Sequence, residues 1–179
     1  MKKLFLGAAL AMGSLAFAQQ FGVKAGMNVS NVSNSDAKSK VGFNAGVFMN
    51  APIAESFSIQ PEVLYNNLGA KNGNTTLNLD YIAVPVMFQY KATPEFYLEA
   101  GPEFGFLVSA KAKNNGNKAD VKDGMETFNF GVGVGAGYYF TQNIGINARY
   151  VAGFTDVAKN NSGDAARNGV FQVGLNYKF

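Results

Sequence analysis

From Gln19 onward, apolar and polar residues alternate, and eight stretches hold the period of two that a half-buried β-strand requires. They are predicted at residues 21–30, 41–51, 57–68, 77–90, 96–111, 127–140, 144–154 and 170–179. In the first, Phe21, Val23, Ala25, Met27 and Val29 share one face, against Gly22, Lys24, Gly26 and Asn28. In the sixth, Phe128, Phe130, Val132, Val134, Ala136, Tyr138 and Phe140 oppose Asn129, Gly131, Gly133, Gly135 and Gly137. The last ends on Val173, Leu175, Tyr177 and Phe179, in phase.

The connections alternate too. Short ones fall at residues 52–56, 91–95 and 141–143. The others are longer and polar: "NVSNSDAKSK", "GAKNGNTT", "AKNNGNKADVKDG" and "DVAKNNSGDAARN". Tight turns at one end and long loops at the other predict an all-β fold, an eight-stranded antiparallel up-and-down transmembrane β-barrel. An even strand number places both termini at the short-turn end.

Alternation alone does not say which face points outward. A soluble barrel keeps its apolar residues inside, whereas a membrane barrel faces them to lipid. The predicted strands are long enough to cross a bilayer at a tilt, which takes about 9–11 residues. The polar face is rich in glycine, as suits a lumen that eight strands leave only just wide enough for side chains. Those glycines make room for Phe48, Tyr81, Met87, Tyr97 and Tyr139, which the alternation turns inward. The charges on that face balance: Lys24, Arg149 and Lys178 against Glu62, Glu99 and Glu103. An unpaired buried charge is expensive, so these six are expected to form an ion-pair network filling the lumen. Aromatics gather near both ends of the apolar face, as in the girdles of a membrane barrel. Pro61, Pro85 and Pro102 fall inside strands, and bulges or breaks are expected there.

Residues 1–18 read differently. Met1-Lys2-Lys3 is a basic head, residues 4–17 an apolar run, and Ala16-Phe17-Ala18 an A-x-A cleavage site. This is the pattern of a cleaved secretory signal peptide, leaving 19–179 as one outer-membrane barrel domain. Removing Lys2 and Lys3 from the 15 basic residues leaves 13 against 12 acids, too balanced to argue for nucleic acid. The chain has no Cys, His or Trp. No disulfide staple is possible, and neither a Cys/His metal site nor a histidine base. No cofactor and no metal are expected.

The runs "SIQPEVLYNNLGAK", "LDYIAVPVMFQY", "FYLEAGPEFGFLVSAK", "FNFGVGVGAGYYF", "INARYVAGFTDV" and "FQVGLNYKF" together resemble the PorT-like outer-membrane β-barrel domain family. The resemblance spans residues 21–179 and implies an eight-stranded barrel in the outer membrane. A family position ahead of the fourth-strand proline, Pro85, is commonly acidic, but is Ala83 here. Some members are linked to protein secretion, and others are called porin-like. The chain end also resembles the signal read by the barrel-insertion machinery, through Gln172, Gly174, Tyr177 and Phe179.

A filled barrel with a structural or interaction role is therefore expected, its termini periplasmic and its long loops extracellular. Loop cations, among them Lys38, Lys40, Lys71, Lys113, Lys118, Lys122, Lys159 and Arg167, suit lipopolysaccharide phosphates. The alternatives are a narrow porin-like channel and an accessory barrel in secretion. "GVGVGAG" is no nucleotide loop, because it alternates within a strand instead of opening a helix.

Overall fold

The computed structural model describes residues 19–32, 38–114, 117–156 and 167–179. The expected signal peptide and Lys159 lie outside the described residues.

Nine strands are described: β1 (Gln20–Val32), β2 (Lys38–Ala54), β3 (Phe57–Asn72), β4 (Thr75–Lys91), β5 (Phe96–Asn114), β6 (Asn117–Asp120), β7 (Phe128–Tyr139), β8 (Ile144–Gly153) and β9 (Asn168–Lys178). Eight of them close a ring. Each pairs antiparallel with the next, β5 passes directly to β7, and β9 returns to β1. The ninth, β6, folds back on the top of β5 beyond the point where β7 leaves off. It falls within a stretch the alternation left as loop. A single 3₁₀ turn, Lys122–Gly124, follows it.

The apolar face is the outer one. Phe21, Met27 and Leu175 are 57%, 61% and 60% exposed, whereas Lys24, Glu62 and Arg149 are 4%, 1% and 1% exposed. A soluble barrel would show the reverse.

Inside, large side chains are matched to glycines. A Cβ on Gly22 would strike the Phe48 ring, and one on Gly137 the Tyr97 ring. Gly145 stands against Tyr139, Gly133 against Met87, and Gly105 against Tyr81. Three of these matches are directly opposed pairs: Gly22 with Phe48, Tyr97 with Gly137, and Tyr139 with Gly145. Packing without voids or overlap fixes which strand can sit beside which.

Two of the three short turns share a device. The Thr93 hydroxyl accepts from the backbone N–H of Glu95 and Phe96 at 3.3 and 3.0 Å. Thr141 does the same for Asn143 and Ile144 at 3.2 and 2.9 Å. Such hydroxyl-closed turns satisfy donors that the ladder leaves free. At the other end, β3 and β4 extend past the expected loop to a two-residue turn at Gly73-Asn74, where Gly73 takes φ +55°. Glycine adopts that conformation without steric cost.

Of the bulges or breaks expected at the prolines, the structure shows breaks. Register shifts occur between Ser39 and Asn44, between Pro52 and Ala54, and between Asp80 and Tyr81. None occurs at Pro61, Pro85 or Pro102. There the ladder skips paired positions, as between Pro61↔Val86 and Leu64↔Ala83, and resumes in the same register. Rungs on either side hold the alignment, so a missing N–H costs hydrogen bonds locally without shifting the strand.

Candidate functional site

The inward residues of six strands meet in one hydrogen-bonded lattice across the lumen. At its centre is Arg149 on β8. Its Nη1 and Nη2 donate to Glu62 Oε2 and Oε1 on β3 at 3.0 and 2.8 Å. Its Nε donates to Glu99 Oε1 on β5 at 2.7 Å. Lys24 Nζ on β1 reaches Glu62 Oε1 at 2.8 Å. The guanidinium is thus held by two carboxylates, on its fork edge and its Nε edge. Its planar donor array suits this arrangement and a lysine's point charge does not.

Two cations and two carboxylates sum to no net charge, which a low-dielectric interior requires. The remaining lone pairs are met by amides. Gln60 Nε2 donates to Glu62 Oε1 at 2.8 Å, and Gln89 Nε2 to Glu99 Oε2 at 3.1 Å. Asn50 Nδ2, on β2, lies 2.8 Å from Gln89 Oε1 and 3.1 Å from Gln60 Oε1, joining the two arms. The sequence reading passed over these three amides. Their inward parity was the available signal, because a neutral side chain facing a carboxylate is as necessary as the counter-charge.

Two of the six expected charges are not in the lattice. Lys178 stands at the turn-end rim, half-buried, its Nζ 3.7 Å from the Tyr139 ring centre and 3.4 Å from Gln20 Oε1. The register explains this. Lys178 pairs with Gly22, one inward step beyond the Asn176↔Lys24 pair. Asn176 Nδ2 donates to the Tyr97 hydroxyl at 3.2 Å, and Tyr97 packs on Tyr139 at 5.8 Å. Lys178 therefore lies past the tyrosine layer. Glu103 is buried in the wall, two inward positions beyond Glu99 on β5, but Arg149 is committed to Glu62 and Glu99. Glu103 Oε2 has no hydrogen-bond partner among the described residues, and neither have Asn66 Nδ2 and Gln172 Nε2.

Toward the long-loop end the lumen changes character. Asn44 Nδ2 donates to Asn28 Oδ1 at 2.6 Å. Beyond that lies an apolar cluster of Leu68, Leu79, Tyr81, Leu107, Ala110, Val151 and Val170, with Leu77, Val121 and Met125 packed on it. Val121 and Met125 flank the 3₁₀ turn, so the chain after β6 folds over the opening. Ions at one level and an apolar cap at another leave the barrel filled.

The four residues of the terminal pattern lie on β9 and just past it. Gln172 and Gly174 face inward. Tyr177 and Phe179 face outward, their rings 5.5 Å apart and edge to face. The Phe179 N–H donates to Phe21 O at 2.9 Å, tying the last residue to the first strand.

The outer membrane protein beta-barrel domain profile matches residues 17–159. The chain belongs to this family. It is an outer-membrane barrel, and its apolar outer face is the surface that meets lipid. No curated protein matches the chain. Among solved structures it is similar to Neisserial surface protein A, with 17% identity, a TM-score of 0.60, and coverage of 90% of this chain and 97% of that one. It is also similar to Ail, the attachment invasion locus protein of Yersinia pestis, with 16% identity, a TM-score of 0.56, and coverage of 89% and 98%. A major outer membrane protein from Thermus thermophilus is similar at 14% identity and a TM-score of 0.54, over 90% of this chain and all of that one. At these identities the likeness is one of fold.

Proposed function

We propose that this protein is a filled, non-conducting outer-membrane barrel that acts through what it displays at its long-loop end. The observation that carries this reading is the Arg149 lattice. It crosses the lumen from β8 to β3 and β5 with no net charge, and an apolar cluster closes the far side. In this reading the termini are periplasmic and the long loops extracellular, and the PorT-like group is its finer place within the family. Residues 1–18 act as the cleaved signal peptide. The partners are the surrounding outer-membrane lipid and lipopolysaccharide. During assembly, the barrel-insertion machinery reads Gln172, Gly174, Tyr177 and Phe179. We read the protein as non-enzymatic, since the chain offers neither His nor Cys for acid–base or nucleophilic work.

Single-channel recording on the refolded protein in planar bilayers tests this. Silence is the expected result. Steady, reproducible unit conductances would overturn it in favour of a narrow porin-like channel.

A further inference from the structure

Two inward lysines face each other across the turn-end mouth of the barrel. Lys91 ends β4 and Lys178 ends β9. These strands are four apart in the ring of eight, so the lysines stand on opposite walls. Each lies two positions past a residue buried in the lumen, Gln89 and Asn176, and so shares its inward parity. Both are half-buried. The tyrosine layer lies directly inside them. Lys91 pairs with Tyr97, and the Lys178 ammonium sits over the Tyr139 ring. The two ammonium groups are close enough to repel one another. Among the described residues neither has a carboxylate within salt-bridge distance; the ion pairs found all lie deeper, in the Arg149 lattice. Holding two partly buried cations face to face is unfavourable, and an anion between them removes the cost.

The space between them is a funnel. Its neck, about 40 Å³, runs between Lys91, Lys178, Gln89 and Asn50 against the two tyrosines. Its bowl, about 360 Å³, is walled by Tyr139, Phe140, Thr141 and Gln142. Neck and bowl share Pro94, Glu95, Tyr139 and Lys178, so they are continuous. The neck holds little more than one water's share of liquid volume, so only a small terminal group enters it, and the two cations select an anion. The bowl offers ring faces, a hydroxyl and an amide to whatever carries that group. Glu95 is the one carboxylate lining the funnel. It repels a second anion next to the first.

We propose that this funnel binds the free carboxylate end of a peptide. The terminal carboxylate sits in the neck between Lys91 and Lys178, and the small residues before it fill the bowl. An inorganic anion meets the same cations but leaves the bowl empty. A peptide with an acidic residue just ahead of its end meets Glu95, so a neutral or basic residue is preferred there. The mouth lies on the barrel axis, so the peptide arrives from water and not from the lipid around the outer wall. This site is separate from the long-loop end, and it holds whichever way the barrel lies in the membrane.

The test is isothermal titration calorimetry on the full barrel refolded in neutral detergent. The probe is acetyl-Lys-Ala-Ala with a free carboxylate, compared with the same peptide amidated and with acetyl-Glu-Ala-Ala. The expected result is salt-sensitive binding of the free acid, with both comparison peptides weaker. K91Q and K178Q should each weaken the free acid about tenfold, the loss of one charge-assisted hydrogen bond. K111Q, which removes an exposed lysine at the loop end, should leave the affinity unchanged. Heat-modifiable gel mobility confirms that each variant is folded, and the acid-against-amide comparison on wild type decides the matter should a variant fail to fold. Equal binding of acid and amide would overturn the proposal, and so would binding of neither. Inorganic phosphate binding as tightly as the peptide would overturn it too, because the bowl would then contribute nothing.

Discussion

Arg149 grips Glu62 with two parallel hydrogen bonds, Nη1 to Oε2 at 3.0 Å and Nη2 to Oε1 at 2.8 Å, across the whole width of the lumen. The two residues are 87 positions apart in the chain. Such a contact forms only once the cylinder is closing, so it rewards closure and not local strand pairing.

Arg149→Ala therefore leaves Glu62 with Lys24 as its one cation and Glu99 with none. Breaking a buried ion pair by removing one partner costs about 3–5 kcal/mol. Urea unfolding in lipid vesicles should show a loss of that size, with weakened heat-modifiable mobility. Arg149→Lys should recover only part, since an ammonium cannot offer the fork. Unchanged stability in Arg149→Ala would show that the lattice contributes little.

Lys24 and Lys178 give a contrast on neighbouring inward positions. Lys24→Gln removes a buried charged hydrogen bond to Glu62 and should cost about 1.5–3 kcal/mol. Lys178→Gln removes a rim contact with Tyr139 and should cost no more than about 1 kcal/mol. Equal costs in the same unfolding assay would contradict the placement of Lys178 outside the lattice.

The glycine matching predicts a specific rescue. Gly137→Ala puts a methyl group into the Tyr97 ring and should destabilise by about 1–3 kcal/mol. Pairing it with Tyr97→Leu should return part of that loss, because the ring that clashes is gone. A double variant as unstable as the sum of its parts would show that the clash is not between these two residues.

Turn closure is testable at Thr141. Thr141→Ala removes the acceptor for the Asn143 and Ile144 N–H groups and should cost about 0.5–1.5 kcal/mol. Thr141→Ser should retain nearly all of the stability. The measurement is the unfolding midpoint of each variant against wild type.

Phe179 separates assembly from stability. Its ring contacts Tyr177 edge to face, a contact worth about 0.5–1.5 kcal/mol. Phe179→Ala should refold in detergent with a loss of no more than that. In cells it should accumulate far less of the compact, heat-modifiable form. Equal cellular yield would count against the terminal recognition pattern.

The eight wall strands and their outer face were legible in the sequence because closure forces each strand to keep one apolar and one small or polar side. Period two survives wherever the two sides differ. It fades at the loop end, where both faces are wet, so the extensions of β2 to Lys38, of β4 to Thr75 and of β5 to Asn114 could not be read from it, and β6 stayed hidden in a polar loop. Parity also gives a side chain its side but not its height. Lys24, Lys178, Glu99 and Glu103 all have inward parity, yet only Lys24 and Glu99 meet Arg149 or its partner. Height depends on the stagger between neighbouring strands, which shows only when the ring is closed. The prolines were legible as interruptions of the ladder; that the strands keep their register across them was not, because rungs on both sides share the alignment.

The clasp between Phe179 and Phe21 brings the two ends of the described wall side by side. Joining the two ends by a short linker and reopening the chain at Glu55-Ser56 would give a polypeptide that starts at β3 and finishes at β2, with the same neighbours around the ring. The architecture has an order but no beginning. Which strand is synthesised last is then a choice independent of the fold, and the effect of synthesis order on assembly can be measured on a barrel whose wall is otherwise unaltered.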